Sequence, residues 1–250
     1  MSKLGVFDSG VGGLTVVSEI KKRFPKVGIV YLGDTARVPY GPRGIDVVKK
    51  FAVEDAKFLL NFDVDAIVVA CNTVSALAID EVRQIVNVDV FEMILFASKK
   101  AMEVTKNKKI GVIGTYGTIN SHAYLRQMSG FEIYEKACPL LVPFIEEGEI
   151  EGQLIENLVR KYIRFVKEES IDTLILGCTH YPLLSKIISE ELGDGVNLVN
   201  CGEELALNLD VDPGTDLDRF FVTDLNTRVS SLAEVIMGRK IKLEKAQLEI

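Results

Sequence analysis

Two cysteines lie at matching places in two similar stretches of the chain. Residues 65–73 read DAIVVACNT and residues 172–180 read DTLILGCTH, so that Cys178 follows Cys71 by 107 positions. A thiol can hold or release a proton not far from neutral pH. Two thiols on opposite sides of one cleft could therefore remove a proton from one face of a carbon atom and return a proton to the other face.

The elements that would position these thiols follow a regular alternation. Short apolar runs such as residues 28–32 and 66–70 alternate with stretches of helical spacing such as residues 14–23 and 47–60. This alternation predicts an α/β fold in which mainly parallel sheets are flanked by helices. Ligands bind beyond the carboxyl ends of the strands in such sheets, which is where both cysteines are predicted to lie.

A second pair of stretches repeats at nearly the same distance. Residues 3–9 (KLGVFDS) and residues 109–115 (KIGVIGT) are offset by 106 positions, in agreement with the cysteine pair. Two motif pairs with one period predict two similar domains related by internal duplication, with the active site in the cleft between them.

The repeat also suggests domain limits. We expect residues 1–92 and 208–250 to form the first α/β domain, which contains Cys71, and residues 93–207 to form the second, which contains Cys178. A predicted strand over residues 220–223 returns the chain to the first domain, and the spacing predicts a helix over 227–237.

Composition excludes several classes of function. The chain of 250 residues carries a net charge of −7, which argues against a nucleic-acid surface. It shows no secretory signal and no apolar run long enough to span a membrane, so no membrane partner is expected. The four cysteines form no CxxC pair and do not resemble a disulfide scaffold, and a cytoplasmic protein with reduced thiols is predicted.

The surroundings of the cysteines leave alternatives open. Both Cys71 and Cys178 precede predicted helices, whose N-termini favour the thiolate and can lower the pKa of a thiol. A redox pair or a zinc site would use the same residue type, but the spacing of the two histidines and four cysteines fits no metal site, and no metal is expected. Cys138 and Cys201 are interpreted as core residues.

A glycine-rich turn at residues 8–13 (DSGVGG) allows two interpretations. Its backbone N–H groups could hold an anion, or the turn could be purely structural. It is not a dinucleotide fingerprint, because Thr15 stands where the third glycine would be required.

Four motifs in order resemble the glutamate racemase family, within the cofactor-independent aspartate/glutamate racemase superfamily. They are FDSGVGG at 7–13, GDTARVPYG at 33–41, ACNT at 70–73 and LGCTHYPLL at 176–184. The resemblance implies interconversion of L- and D-glutamate without a cofactor, which supplies D-glutamate for peptidoglycan. Glutamate is the implied small-molecule partner, and the resemblance allows a homodimer. An aspartate or hydantoin racemase and a non-catalytic binding protein are the alternatives.

The resemblance also implies roles for individual residues. Cys71 would exchange the proton of D-glutamate and Cys178 that of L-glutamate. Asp8 and His180 would lie beside the thiols, setting their protonation or holding the substrate ammonium. Glu147, chosen over its neighbour Glu146, matches a third acidic residue of the family.

Neutral donors are implied for the two substrate carboxylates. The side-chain carboxylate would be contacted by Ser9, Tyr40 and Gly41. The α-carboxylate would be contacted by Asn72, Thr73 and Thr179, with Thr118 as a further candidate. The sequence departs from the family pattern at residues 91–98, where the crossover between domains is expected.

Overall fold

A computed structural model describes residues 1–214 and 217–248 of the chain. Thr215, Asp216, Glu249 and Ile250, which belong to the predicted first domain, lie outside the described residues. Within the described part, no helix has both the length and the apolar character that crossing a membrane requires.

Ten strands form two parallel sheets in the described residues. The strands are β1 (Lys3–Asp8), β2 (Gly28–Gly33), β3 (Ala66–Val69), β4 (Asp89–Glu92), β5 (Lys109–Gly114), β6 (Glu132–Ala137), β7 (Thr173–Gly177), β8 (Asn197–Asn200), β9 (Arg219–Val222) and β10 (Leu243–Lys245). The first sheet has the order β10-β9-β2-β1-β3-β4, and the second has the order β6-β5-β7-β8.

The two sheets share one topology. The order β2-β1-β3-β4 in the first sheet is repeated as β6-β5-β7-β8 in the second. Every strand pair in the described residues is parallel, as between β1 and β3 or between β5 and β7. The predicted fold class of duplicated parallel sheets flanked by helices is therefore confirmed.

Helices connect the strands and cover the sheets. They are α1 (Leu14–Arg23), α2 (Ile45–Leu60), α3 (Asn72–Leu77), α4 (Ile79–Ile85), α5 (Met93–Val104), α6 (Tyr116–Asn120), α7 (Ala123–Gln127), α8 (Leu141–Glu146), α9 (Gln153–Glu168), α10 (Ser185–Leu192), α11 (Cys201–Asn208) and α12 (Thr227–Met237), with a 3₁₀ helix at Tyr181–Leu184. The sequence predicted α1 and α12 with the bounds observed and α2 two residues too short.

A shared apolar core joins the sheets. Residues from β1 and β5, such as Val6 and Val112, belong to one buried cluster, and α1, α5 and α11 contribute to it. Separate clusters cover the outer face of each sheet, with Val48 of α2 on the first and Val159 of α9 on the second. One buried cluster thereby holds the two sheets together.

The unusual segment at residues 91–98 connects the first sheet with the second. It contains the end of β4 and the start of α5, which leads to β5. The buried Glu92 side chain accepts hydrogen bonds from the N–H groups of Ile94 and Leu95 at 2.6 and 3.0 Å, which caps α5. The strand predicted over residues 220–223 is observed as β9, one residue earlier, and it pairs with β2 of the first sheet.

Candidate active site

The two thiols line one narrow cleft of about 20 Å³ between the sheets. Cys71 occupies the position just before α3, beyond the end of β3, and Cys178 directly follows β7. β3 and β7 hold the same place in the two sheets, so the duplicated strands bring the thiols together. The other lining residues are Ser9, Pro39, Tyr40, Gly41, Asn72, Thr73, Thr115, Val142, Thr179 and His180.

Hydroxyl and carboxyl groups surround Cys71. Its Sγ lies 3.7 Å from the hydroxyl of Ser9, within a sulfur hydrogen bond. Burial and the nearby charge of Asp8 raise the pKa of the Cys71 thiol to about 12. The expectation that the helix N-terminus would lower this pKa is therefore wrong, because burial and a negative neighbour outweigh the short helix α3.

The glycine-rich turn holds Asp8 itself. Asp8 ends β1 and is fully buried, and its Oδ2 accepts from the N–H of Gly10 at 3.1 Å, with a further backbone hydrogen bond from Gly13. Burial raises the pKa of Asp8, and these hydrogen bonds act in the opposite direction. The N–H groups of the turn therefore bind an anion of the same chain, the Asp8 carboxylate.

A histidine and a carboxylate accompany Cys178. The Nδ1 atom of His180 lies 3.9 Å from the Cys178 sulfur, and its Nε2 atom lies 2.7 Å from Oε1 of Glu146. His180 is buried, which opposes its charged form, but the contacts with Cys178 and Glu146 raise its pKa well above the ordinary value. A protonated His180 can donate to the sulfur and to the carboxylate at once.

Gly12 allows this arrangement by its lack of a side chain. A Cβ at Gly12 would lie 2.5 Å from Nδ1 of His180 and 2.6 Å from the hydroxyl oxygen of Thr179. The turn after β1 therefore packs directly on the segment after β7. Thr179 also donates to Oδ1 of Asp8 at 3.2 Å, so that hydrogen bonds join the two halves beside the thiols.

Glu147 lies outside the cleft. Its side chain is 64% exposed and forms an ion pair with Arg228 of α12. Glu146, the last residue of α8, is the carboxylate that contacts His180, and this contact lowers the pKa of Glu146 despite its burial. The choice of Glu147 over Glu146 is corrected here, because the last turn of α8 directs only Glu146 inward.

Tyr40 lines the cleft, but its hydroxyl lies in a buried polar cluster. The hydroxyl contacts Asp34 and lies 2.9 Å from Oδ2 of Asp55. Burial and the charge of Asp34 raise the pKa of Asp55 well above its usual range, so Asp55 retains a proton beside Asp34. Arg37 also contacts both carboxyl groups, at 2.5 Å to Asp34 and 3.2 Å to Asp55. This cluster fixes the loop that carries Gly41, and the Tyr40 phenol is engaged by two carboxyl groups within it.

Three threonines form a hydroxyl chain from the wall of the cleft. Thr73 contacts Thr115 at 2.9 Å between the hydroxyl oxygens, and Thr115 contacts Thr118 at 3.1 Å. Thr115 lines the cleft, whereas the fully buried Thr118 lies one hydroxyl further back. Thr115 follows β5 as Ser9 follows β1, and this strand-end position is the sequence signal that identifies it.

Asn72 presents an unpartnered amide. It is 2% exposed, its Oδ1 accepts from the hydroxyl of Tyr124 at 2.6 Å, and its Nδ2 has no hydrogen-bond partner within the described residues. Buried donors normally have partners, so a free amide on the cleft wall is suited to an acceptor on a ligand. The first N–H groups of α3, at Asn72 and Thr73, also lack partners within the helix.

The remaining cysteines take no part in the cleft. Cys138 and Cys201 are buried, and all four cysteines are free thiols. Across residues 1–214 and 217–248, no group of three or more His, Cys, Asp or Glu side chains is arranged to hold a metal ion.

Comparisons with known proteins identify the family of the chain. Residues 14–207 match the family model described as Asp/Glu/Hydantoin racemase. Glutamate racemase from Aquifex pyrophilus is 48% identical over 98% of each chain. The crystal structure of a glutamate racemase isoform from Bacillus anthracis superimposes with a TM-score of 0.93 at 38% identity, covering 99% of this chain and 98% of that one. Glutamate racemase from Francisella tularensis, solved in complex with D-glutamate, gives a TM-score of 0.90 at 34% identity over 99% and 98% of the two chains. The chain therefore belongs to the Asp/Glu/Hydantoin racemase family.

Proposed function

We propose that this protein interconverts L- and D-glutamate by proton transfer between two thiols. The observation that carries the proposal is that Cys71 and Cys178, from equivalent strand ends of a duplicated fold, line one cleft. The substrate assignment is supported by the identity to glutamate racemases over nearly the whole chain.

The reaction begins with the thiols in opposite protonation states. With L-glutamate bound, the Cys178 thiolate beside protonated His180 removes the Cα proton. The Cys71 thiol then gives its proton to the opposite face of the carbanion, which yields D-glutamate. Cys71 is left as thiolate and Cys178 as thiol, so the reverse reaction starts from this second state. Each turnover conserves protons, because one is taken and one is returned.

The surroundings of the two thiols suit proton removal from L-glutamate. The raised pKa of Cys71 keeps its proton in place, and the raised pKa of His180 keeps a positive charge beside Cys178. Carbanion formation also needs preorganised donors in a site with little water. The buried N–H and hydroxyl groups around the cleft supply them.

Neutral groups are placed to bind the two carboxylates. The amide of Asn72, the hydroxyl of Thr73 and the start of α3 lie on one wall, and we assign them to the α-carboxylate. Ser9 and the N–H groups at Tyr40 and Gly41 are assigned to the side-chain carboxylate. These donors add no permanent positive charge that would pair with a thiolate. We assign Asp8 to the substrate ammonium, on the Cys71 side.

In the cell, we propose that the product D-glutamate serves peptidoglycan synthesis and that the enzyme acts in the cytoplasm. Four free thiols, two of them needed in reduced form, suit a reducing compartment. A homodimer is also proposed, by analogy with the family. No nucleic-acid or membrane partner is proposed, in line with the net charge of −7 and the buried location of the site.

Hydrogen exchange tests the proposal directly. Purified protein in deuterated water, with no cofactor added, is expected to incorporate deuterium at Cα of glutamate from either enantiomer. Circular dichroism with glutamate, aspartate and a hydantoin distinguishes the substrate. Absence of exchange with glutamate, or faster racemisation of aspartate or the hydantoin, would overturn the assignment.

A further inference from the structure

We propose that Tyr124 is a positioning residue that orients the Asn72 amide, so that its N–H groups face the substrate carboxylate. The inference rests on the proposed function, because the carboxylate belongs to glutamate. Tyr124 lies on α7 in the half of the chain that carries Cys178, whereas Asn72 follows Cys71. The contact therefore joins the two halves behind the cleft.

The geometry fixes which atom of the Asn72 amide faces inward. Tyr124 is fully buried and its hydroxyl lies 2.6 Å from Oδ1 of Asn72, while Nδ2 is buried without a partner in the described residues. If the amide were rotated by half a turn, Nδ2 would donate a hydrogen bond to the phenol oxygen. Oδ1 would then face the cleft and repel a carboxylate.

The second neighbour of the phenol favours the first arrangement. Tyr124 also contacts the sulfur of Cys201 at 3.3 Å, and that sulfur lies 3.3 Å from the carbonyl oxygen of Leu176. A thiol sulfur is a weak acceptor. The phenol proton therefore goes to Oδ1 of Asn72, the stronger acceptor, and the Cys201 proton can go to Leu176. Burial raises the pKa of Tyr124 well above its usual value, which keeps it a donor.

The first test is Tyr124→Phe with kinetics in both directions. We expect the KM for both enantiomers to rise roughly tenfold, the effect of losing one hydrogen bond of ordinary strength, with a smaller change in kcat. Tyr181→Phe is the matched control for stability, because Tyr181 is equally buried and donates to the carbonyl oxygen of Cys138 at 3.1 Å. The two variants should lose similar stability, but the rise in KM should be larger for Tyr124→Phe.

A double-mutant cycle separates positioning from general packing. In an Asn72→Ala background, Tyr124→Phe should change KM by less than twofold, because its effect passes through Asn72. A full tenfold change in that background, or an unchanged KM in the single variant, would overturn the inference. Activity of the unmodified protein on glutamate is measured in the same assay, and its absence would instead refute the proposed function.

A pair of substitutions at Cys201 keeps the test decisive if Tyr124→Phe does not fold. A serine hydroxyl is a better acceptor than a thiol and should compete with Asn72 for the phenol proton, whereas alanine removes the competitor. Cys201→Ser should therefore raise KM more than Cys201→Ala does. An equal or opposite order of the two KM values would contradict the proposal.

Discussion

The two thiols occupy equivalent positions but have unlike neighbours. Cys71 is accompanied by the hydroxyl of Ser9 and the carboxyl group of Asp8, and its pKa is raised to about 12. Cys178 is accompanied by His180, whose pKa is raised by its contacts with Cys178 and with Glu146. One thiol is thus kept protonated, while the other lies beside a positive charge.

This difference shows what a duplication can and cannot supply. The repeated strand order places two thiols at equivalent strand ends facing one cleft. A two-base reaction requires one acid and one base, and identical surroundings would favour the same protonation state for both thiols. The side chains that follow each strand therefore provide the asymmetry, and the following predictions test it.

The largest effect is expected from removing either thiol. Cys71→Ala and Cys178→Ala should each lower racemisation by about 10³-fold or more, since each removes a proton-transfer group. The variants should nevertheless differ. Cys71→Ala keeps Cys178 and should still exchange the Cα proton of L-glutamate with deuterium, with retention of configuration.

Mass spectrometry combined with chiral chromatography checks this prediction. Cys178→Ala is expected to show the opposite preference, with exchange confined to D-glutamate and slower, because the raised pKa of Cys71 leaves little thiolate at neutral pH. Racemisation at the normal rate in either variant would remove that cysteine from the mechanism.

A smaller loss is expected from His180→Asn. Removal of the charge beside Cys178 should lower kcat/KM by roughly 10²-fold, within the range of a single acid–base partner. The two enantiomers are equally stable, so kcat/KM must fall equally in both directions. A difference between the thiols can appear only in kcat and KM separately. An equal fall in kcat/KM for the two enantiomers, with a larger change in kcat for L-glutamate than for D-glutamate, would support the difference between the thiols. Unchanged kinetics would refute it.

The pH dependence of thiolate absorbance tests the resting state without substrate. Because the pKa of Cys71 is raised, its thiolate should form only as the pH rises toward about 12. In Cys178→Ser, where Cys71 is the cleft thiol that remains, ultraviolet thiolate absorbance from the cleft should therefore be absent at neutral pH and appear only in strongly alkaline solution. Thiolate absorbance from Cys71 at neutral pH in this variant would contradict its role as the resting acid.

The sequence predicts the repeated architecture well because its signals are local. Apolar runs and helical spacing identify α1 and α12, and the agreement of two offsets identifies the duplication. Two adjacent residues at a helix end have the same local sequence signals, and only the packing of the folded chain decides which of their side chains turns inward. Neither the choice between Glu146 and Glu147 nor the direction of the Tyr40 hydroxyl could be read from the motifs.

The pKa of Cys71 was mispredicted for a related reason. The sequence shows a helix start, which lowers a thiol pKa, but it does not show how deeply the thiol is buried or that Asp8 lies close to it. The sequence likewise does not show which of Thr115 and Thr118 lines the cleft. In the structure the two hydroxyls are in contact, and Thr115 is the one that lines the cleft.

The smallest effects are expected from substitutions at the adjacent carboxylates Glu146 and Glu147, each of which serves as the control for the other. Glu146→Gln keeps the size of the side chain but removes the negative charge 2.7 Å from Nε2 of His180. The pKa of His180 should fall, and kcat should decrease roughly tenfold, since one pKa unit corresponds to about 1.4 kcal/mol. Glu147→Gln breaks only the exposed pair with Arg228, which contributes about 0.2–1 kcal/mol at most to folding.

NMR titration of His180 with kinetics on both variants separates the two positions. Glu147→Gln should leave the His180 titration and kcat within about twofold of the unmodified enzyme, consistent with the small effect of surface ion pairs. If Glu147→Gln lowers kcat and Glu146→Gln does not, the carboxylate that supports His180 is misassigned. A tenfold loss confined to Glu146→Gln would show that the charge beside Cys178 depends on a residue from α8, outside the repeated strand motif. The charge on the Cys178 side would then depend on this one contact, while the placement of both thiols remains a property of the duplicated sheets.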